Sequence, residues 1–197
     1  QCGKTSSVMD FAKKNYRHVV YLDFREHPEY RNFFIPNLDI PSIILRISAT
    51  MPDVEIEAKE TCFVFDEIQD CPRARGALKY FYLDGNYEVM CTGSLLGVNG
   101  YKTKEELQDE SEASIPVGFE QIENMYPMDF EEWLWANNIK PIHLTYLRKC
   151  FDEELPVDEA IHQRMRELLH LYAIVGGMPE AVSTFLATNQ IGTLLQV

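Results

Sequence analysis

Several things are missing from these 197 residues. No apolar run approaches the ~20 residues needed to cross a bilayer, and no charged-then-apolar leader opens the chain. Positive charge is scarce: 18 Lys and Arg stand against 31 Asp and Glu, a net charge of -13. That balance argues against a surface built broadly to hold nucleic-acid phosphates, while leaving room for a small basic patch. The five cysteines (Cys2, Cys62, Cys71, Cys91, Cys150) form an odd set without a C-x-x-C pair. This argues against a disulfide framework and for free thiols in a reducing, cytoplasmic compartment. Two of them lie inside apolar strand-like runs, as buried thiols do. The five histidines show no H-E-x-x-H or comparable metal spacing. Neither an internal repeat nor a low-complexity tract is present.

What the chain does have begins at once. Gln1-Cys2-Gly3-Lys4-Thr5-Ser6 matches the second half of the phosphate-binding pattern G-x-x-x-x-G-K-[ST]. Gly3 lets backbone N–H groups close round phosphates, Lys4 reaches their outer oxygens, and Thr5 offers a hydroxyl to Mg²⁺. A helix starting near Thr5 points its positive end at the same anion. Gly-Lys-Thr alone also serves as an ordinary turn before a helix. Its weight comes from a second stretch, Thr61-Cys62-Phe63-Val64-Phe65-Asp66-Glu67, which has the form of a Walker B strand. A fully buried parallel strand reads as continuous hydrophobics and delivers the residue at its carboxyl end into a ligand crevice. Asp66 is then the candidate Mg²⁺ carboxylate, and Glu67 the residue that orients or deprotonates an attacking water. An ordinary buried strand ending in a polar turn has the same look.

Between and beyond these stretches, helix and strand alternate. Val8, Phe11 and Ala12 share a helical face that ends near Asn15, and Val19 to Asp23 reads as a strand. Asp39 caps a helix carrying Ile43, Ile44 and Ile47 to about Thr50. Pro72 to Leu83 reads as a helix, and Tyr87 to Cys91 as a strand that runs into Thr92-Gly93-Ser94. Thr92 and Ser94 are the candidates for sensing a γ-phosphate from that strand end, although Thr-Gly-Ser is also a common capping turn. Residues 97–114 read as a polar loop, and 115–117 and 120–125 as the last extended pieces. From Asp129 the pattern turns helical: an aromatic helix from Phe130, a run from Asp158 with Ile161, Met165, Leu168, Leu169, Tyr172 and Ala173, a stop at Gly176-Gly177, and a helix from Glu180. The fold expected is α/β, with a P-loop core over 1–127 and a helical region over 128–197.

Taken together, Cys2-Gly3-Lys4-Thr5, Phe65-Asp66-Glu67-Ile68-Gln69, Leu78-Lys79, Thr92-Gly93-Ser94-Leu95-Leu96-Gly97, Pro116-Val117-Gly118, Tyr126-Pro127-Met128-Asp129-Phe130-Glu131-Glu132 and Gly176-Gly177-Met178-Pro179-Glu180 carry a resemblance. The chain resembles the bacterial and archaeal AAA-type P-loop ATPases that bear a C-terminal domain of unknown function, DUF4143. The resemblance implies a sheet of order 5-1-4-3-2 with a helical lid, ATP and Mg²⁺ as ligands, and hydrolysis of ATP. It places the phosphates on Gly3, Lys4, Thr5 and Ser6, the metal on Thr5 and Asp66, and the reaction on Glu67, Lys4, Thr92 and Ser94. An arginine supplied in trans by a second copy is a common further need, with Arg73 and Arg75 as candidates by position. The alternative is a nucleotide-dependent switch that turns over little and recruits a protein or DNA partner.

The pattern has two departures. Family members usually carry Lys or Arg after Pro-Val-Gly, where this chain has Phe119. The strand expected ahead of the loop, with the loop's first glycine, would precede Gln1, so we expect the 197 residues alone to bind nucleotide weakly or not at all. More protein is expected after Val197, where apolar side chains are still arriving.

Overall fold

Continuous hydrophobic runs flanked by helices dictate strands buried on both faces, and the computed structural model, which describes residues 2–93 and 118–188, shows how they pair. Strands β1 (His18–Asp23), β2 (Thr61–Asp66) and β3 (Glu88–Cys91) form a parallel sheet in the order β1-β2-β3. The register sets His18 against Thr61 and Asp23 against Asp66, then Cys62 against Glu88 and Phe65 against Cys91. Every residue of β2, the central strand, is buried.

Side chains alternate across a strand, so each face of the sheet collects its own set. On one face Val20, Leu22, Phe24, Phe63 and Phe65 form a core with helix α2 (Ile40–Thr50) and helix α3 (Pro72–Asp84), which supply Ile40, Ile43, Ile47, Ala74, Ala77, Leu78 and Phe81. Phe24, Phe34 and Phe65 meet edge-on at 5.6–5.8 Å, a geometry favoured by the ring quadrupoles. Phe34 comes from a 3₁₀ turn at Pro28–Phe34 that the sequence reading did not anticipate. On the opposite face Cys62 and Val64 pack with Ala12 of helix α1 (Lys4–Asn15), and Val8, Val19, Tyr21 and Met90 lie against them. Local chemistry sets the helix ends: the Asp39 carboxylate accepts the Ser42 amide at 3.1 Å to start α2, and Gly85 closes α3.

The chain divides into two compact units, Lys4–Glu123 and Asn124–Val197 with Gln1–Gly3. In the second unit, α4 (Phe130–Ala136), α5 (Pro141–Asp152), α6 (Glu159–Val175) and α7 (Pro179–Thr188) follow one another. Trp133, Leu134, Leu168, Val175, Val182 and Phe185 make its core. Asp129 and Glu132 form a capping box at the start of α4, and Asp158 caps α6 through the Ala160 and Ile161 amides. Gly177 carries its own constraint. A Cβ there would lie 2.0 Å from the Met128 carbonyl oxygen, and the same contact carries the hydrogen bond from Met128 N to Gly177 O at 2.8 Å. Tyr172 donates to that Met128 carbonyl at 2.9 Å, so the Tyr126-Pro127-Met128-Asp129 and Gly176-Gly177-Met178-Pro179 stretches are two halves of one contact.

Some readings change. Residues 120–125 form no strand: Gln121 to Met125 expose their side chains, Ile122 and Met125 among them, and so offer no buried face for pairing. The expected extended piece at 115–117 and the loop at 97–114 lie outside the described residues. Helix α5 was not anticipated, and of the aromatic residues of the helix from Phe130, expected as core, Trp135 is exposed. Among the described residues no helix is long and apolar enough to cross a membrane.

Candidate functional site

The carboxyl ends of the three strands bring the chemistry together. Asp23 and Asp66 are register partners, and Thr92 directly follows Cys91, the partner of Phe65. By alternation, Tyr21, Asp23, Val64 and Asp66 all share the face that α1 covers. Helix α1 begins at Lys4, immediately after Gly3, whose φ of 82° lies in the left-handed region that glycine enters without strain. Its first turn leaves backbone N–H groups unpaired within the helix, and Thr5 lies in that turn.

Asp66 is the hub. It is 6% exposed, and both of its oxygens receive the Thr5 hydroxyl, Oδ1 at 3.2 Å and Oδ2 at 3.0 Å, across 61 residues of sequence. The Glu67 amide donates to Oδ1 at 3.0 Å, the Thr92 hydroxyl donates to the same oxygen, and the Tyr21 hydroxyl donates to Oδ2 at 2.7 Å. Burial alone would raise the carboxyl's pKa. The Thr92, Tyr21 and Thr5 hydroxyls and the Glu67 amide outweigh it and hold Asp66 below the usual carboxylate range, so it is ionised at neutral pH. The same environment, with burial as the largest cause, pushes the Tyr21 phenol up, which keeps it protonated as a donor.

Glu67 faces another way. Its backbone is left-handed at φ 51°, and its carboxylate accepts from Gln69 Nε2 and pairs with Arg25 Nη2 at 2.9 Å. Arg25 also binds Asp70 at 3.0 Å, so one guanidinium ties the segment after β1 to the segment after β2. Asp70 and Glu67 together raise the pKa of Arg25, in that order. Asp23 is 8% exposed and turns the chain after β1 by accepting the Arg25 and Glu26 amides, each at 2.8 Å.

Thr5, Asp66 and Thr92 therefore converge. Lys4 opens the same helix half-buried, Ser6 is exposed, and Ser94 lies outside the described residues. Tyr21, Asp23 and Arg25 are the residues that sequence reasoning missed. Their signal was the Tyr-Leu-Asp-Phe-Arg end of β1, whose significance depends on a register that periodicity does not give. Arg73 and Arg75 are both engaged internally. The former donates to the Phe34 and Pro36 carbonyls, each at 2.9 Å, and the latter grips Glu120 with bonds of 3.1 and 2.6 Å. Phe119 packs edge-on against Tyr82 at 5.4 Å, with Lys79 Nζ 5.7 Å from its ring centre.

The donor set suits Mg²⁺. A threonine hydroxyl and one ionised carboxylate within 3.2 Å of each other are hard oxygen donors, and Mg²⁺ takes one or two such groups while keeping several waters. Among the described residues no cluster of three or more His, Cys, Asp or Glu could hold a metal, so an all-protein cage is absent there.

No curated protein and no solved structure matches the chain. A family model described as an AAA domain matches residues 1–134, which include all of the converging side chains. The chain belongs to the AAA domain family.

Proposed function

We propose that this chain carries the nucleotide site of an AAA-type P-loop ATPase that binds ATP with Mg²⁺ and hydrolyses it. One observation carries the reading: the Thr5 hydroxyl lies on the Asp66 carboxylate. A phosphate-loop threonine and a Walker B aspartate meet for one known purpose, the shared holding of a nucleotide-bound Mg²⁺. In this reading Gly3, Lys4, Thr5 and Ser6 bind the phosphates through the Lys4 ammonium and the first amides of α1. Thr5 and Asp66 hold Mg²⁺, and Thr92 fixes Asp66 from the next strand. Mg²⁺ held there by Thr5 and Asp66 would supply charge neutralisation for the transferred phosphoryl group.

Glu67 orients or deprotonates the attacking water once it leaves Arg25 and Gln69. Ser94 is a further candidate at the γ-phosphate. An arginine from a second copy completes the charge compensation, and the internal bonds of Arg73 and Arg75 favour another arginine for that role. The order β1-β2-β3 fits strands 2, 3 and 4 of a 5-1-4-3-2 sheet. In the full-length protein the core spans 1–127, with a helical lid from 128 leading into a DUF4143 domain, in the cytoplasm.

A second reading has a specific observation behind it. Glu67 is held by a cation and an amide, and Phe119 replaces a positive charge, which suits a switch that binds ATP or ADP with little turnover and recruits a protein or DNA partner. Glu67→Gln in the full-length protein separates the two. As an enzyme it loses turnover and keeps ATP binding; unchanged turnover in the variant contradicts the hydrolytic role.

A further inference from the structure

Asp66 must present a lone pair in a fixed direction to serve a metal, and the donors around it differ in whether they can stay. The Thr5 hydroxyl reaches both oxygens in this structure, and in the reading above it turns to the metal. The Glu67 amide and the Thr92 hydroxyl both act on Oδ1. On Oδ2, once Thr5 turns away, the remaining donor among these contacts is Tyr21, at 2.7 Å.

Resting on the ATP–Mg²⁺ reading, we propose that Tyr21 is a positioning residue: its hydroxyl fixes the rotation of the Asp66 carboxylate and thereby sets the Mg²⁺ dependence of nucleotide binding. The phenol has a second effect. Its oxygen stands 3.4 Å from Asp23 Oδ2, so a protonated hydroxyl separates two carboxylates on paired strands. With the hydroxyl gone, Asp66 loses its Oδ2 donor and the two acids lose the polar group that stands between them. Oδ1 stays tied to the Glu67 amide and the Thr92 hydroxyl, but Oδ2 can then swing about that tether, and repulsion from Asp23 biases the swing away from the pose seen here. The ring itself is packed beside Ala12, Cys62 and Val64 by apolar contact, and phenylalanine preserves that packing.

The test uses the full-length protein and its Tyr21→Phe variant, with ATP titrated at a series of Mg²⁺ concentrations and again in excess EDTA. Outer-shell partners of metal ligands are commonly worth 10–100-fold in metal affinity, so the Mg²⁺ concentration for half-maximal ATP binding should rise about ten-fold in Tyr21→Phe, while binding in EDTA stays within about two-fold. An unchanged Mg²⁺ requirement overturns the proposal and leaves the ATP–Mg²⁺ reading standing. Equal losses with and without Mg²⁺ overturn it too, because they assign Tyr21 to packing. A wild-type protein that binds no ATP in either condition removes the reading and the proposal together.

Discussion

Asp66 makes a sharp stability prediction because it is both a proposed site residue and a structural acceptor. Truncation to alanine leaves the Glu67 amide and the Thr92 hydroxyl, 3% exposed, without their carboxylate, while Thr5 and Tyr21 are exposed enough to find water. Each buried donor left unsatisfied costs about 1–3 kcal/mol, and relief of the carboxylate's own desolvation offsets part of that, so Asp66→Ala should destabilise by about 2 kcal/mol. Asparagine keeps the shape. Its amide oxygen can stay on the Oδ1 side, where the Glu67 N–H cannot reorient, and its NH₂ can face hydroxyls that rotate to accept, so Asp66→Asn should cost about 1 kcal/mol. The pH dependence has a definite sign. Because the folded carboxyl lies below its ordinary value, its contribution is complete above about pH 3.9 and is lost as pH falls through the folded pKa, where wild type and Asp66→Asn should converge. Urea unfolding followed by far-UV circular dichroism reads both effects. An Asp66→Ala protein as stable as wild type at neutral pH would refute the claim that these hydrogen bonds support the fold.

Two further outcomes are expected. Gly177→Ala should destabilise the helical unit by about 3 kcal/mol, since the new methyl meets backbone at 2.0 Å and the Met128–Gly177 hydrogen bond must break or bend. Both tryptophans, Trp133 and Trp135, lie in that unit, so the midpoint of tryptophan fluorescence on urea unfolding measures it, and an unshifted midpoint rejects the close approach. Burial pushes the Cys62 and Cys71 thiols up to about 11. At pH 7.5 both should resist iodoacetamide in the folded protein and react in urea, which peptide mass spectrometry resolves; rapid labelling of either in the native state contradicts their burial.

The sheet was legible because buried parallel strands are continuous hydrophobic runs: Thr61–Asp66 is buried throughout, as Cys62 to Phe65 suggested. Helix starts were legible where an aspartate caps them, at Asp39, Asp129 and Asp158. Helix α5 escaped because its apolar residues do not gather on a buried face; Cys150 is its one buried residue, while Ile142 and Phe151 are exposed. The supposed strand at 120–125 failed for a related reason, since β-prone residues form a strand only where a neighbour pairs with them. At the candidate site, the meeting of Thr5 with Asp66 was readable because both lie in local motifs. Tyr21 and Arg25 were not, since their roles arise from the pairing of Asp23 with Asp66 and from the left-handed turn at Glu67, both products of tertiary structure.

In the proposed function the start of α1 and the end of β2 form one Mg²⁺-nucleotide site. Titration calorimetry of ATP with Mg²⁺ on the full-length protein, alongside its Lys4→Ala variant, tests it most directly. Saturable binding that Mg²⁺ strengthens and that Lys4→Ala abolishes is expected. Absence of binding in the wild type, or equal binding in the variant, would contradict it.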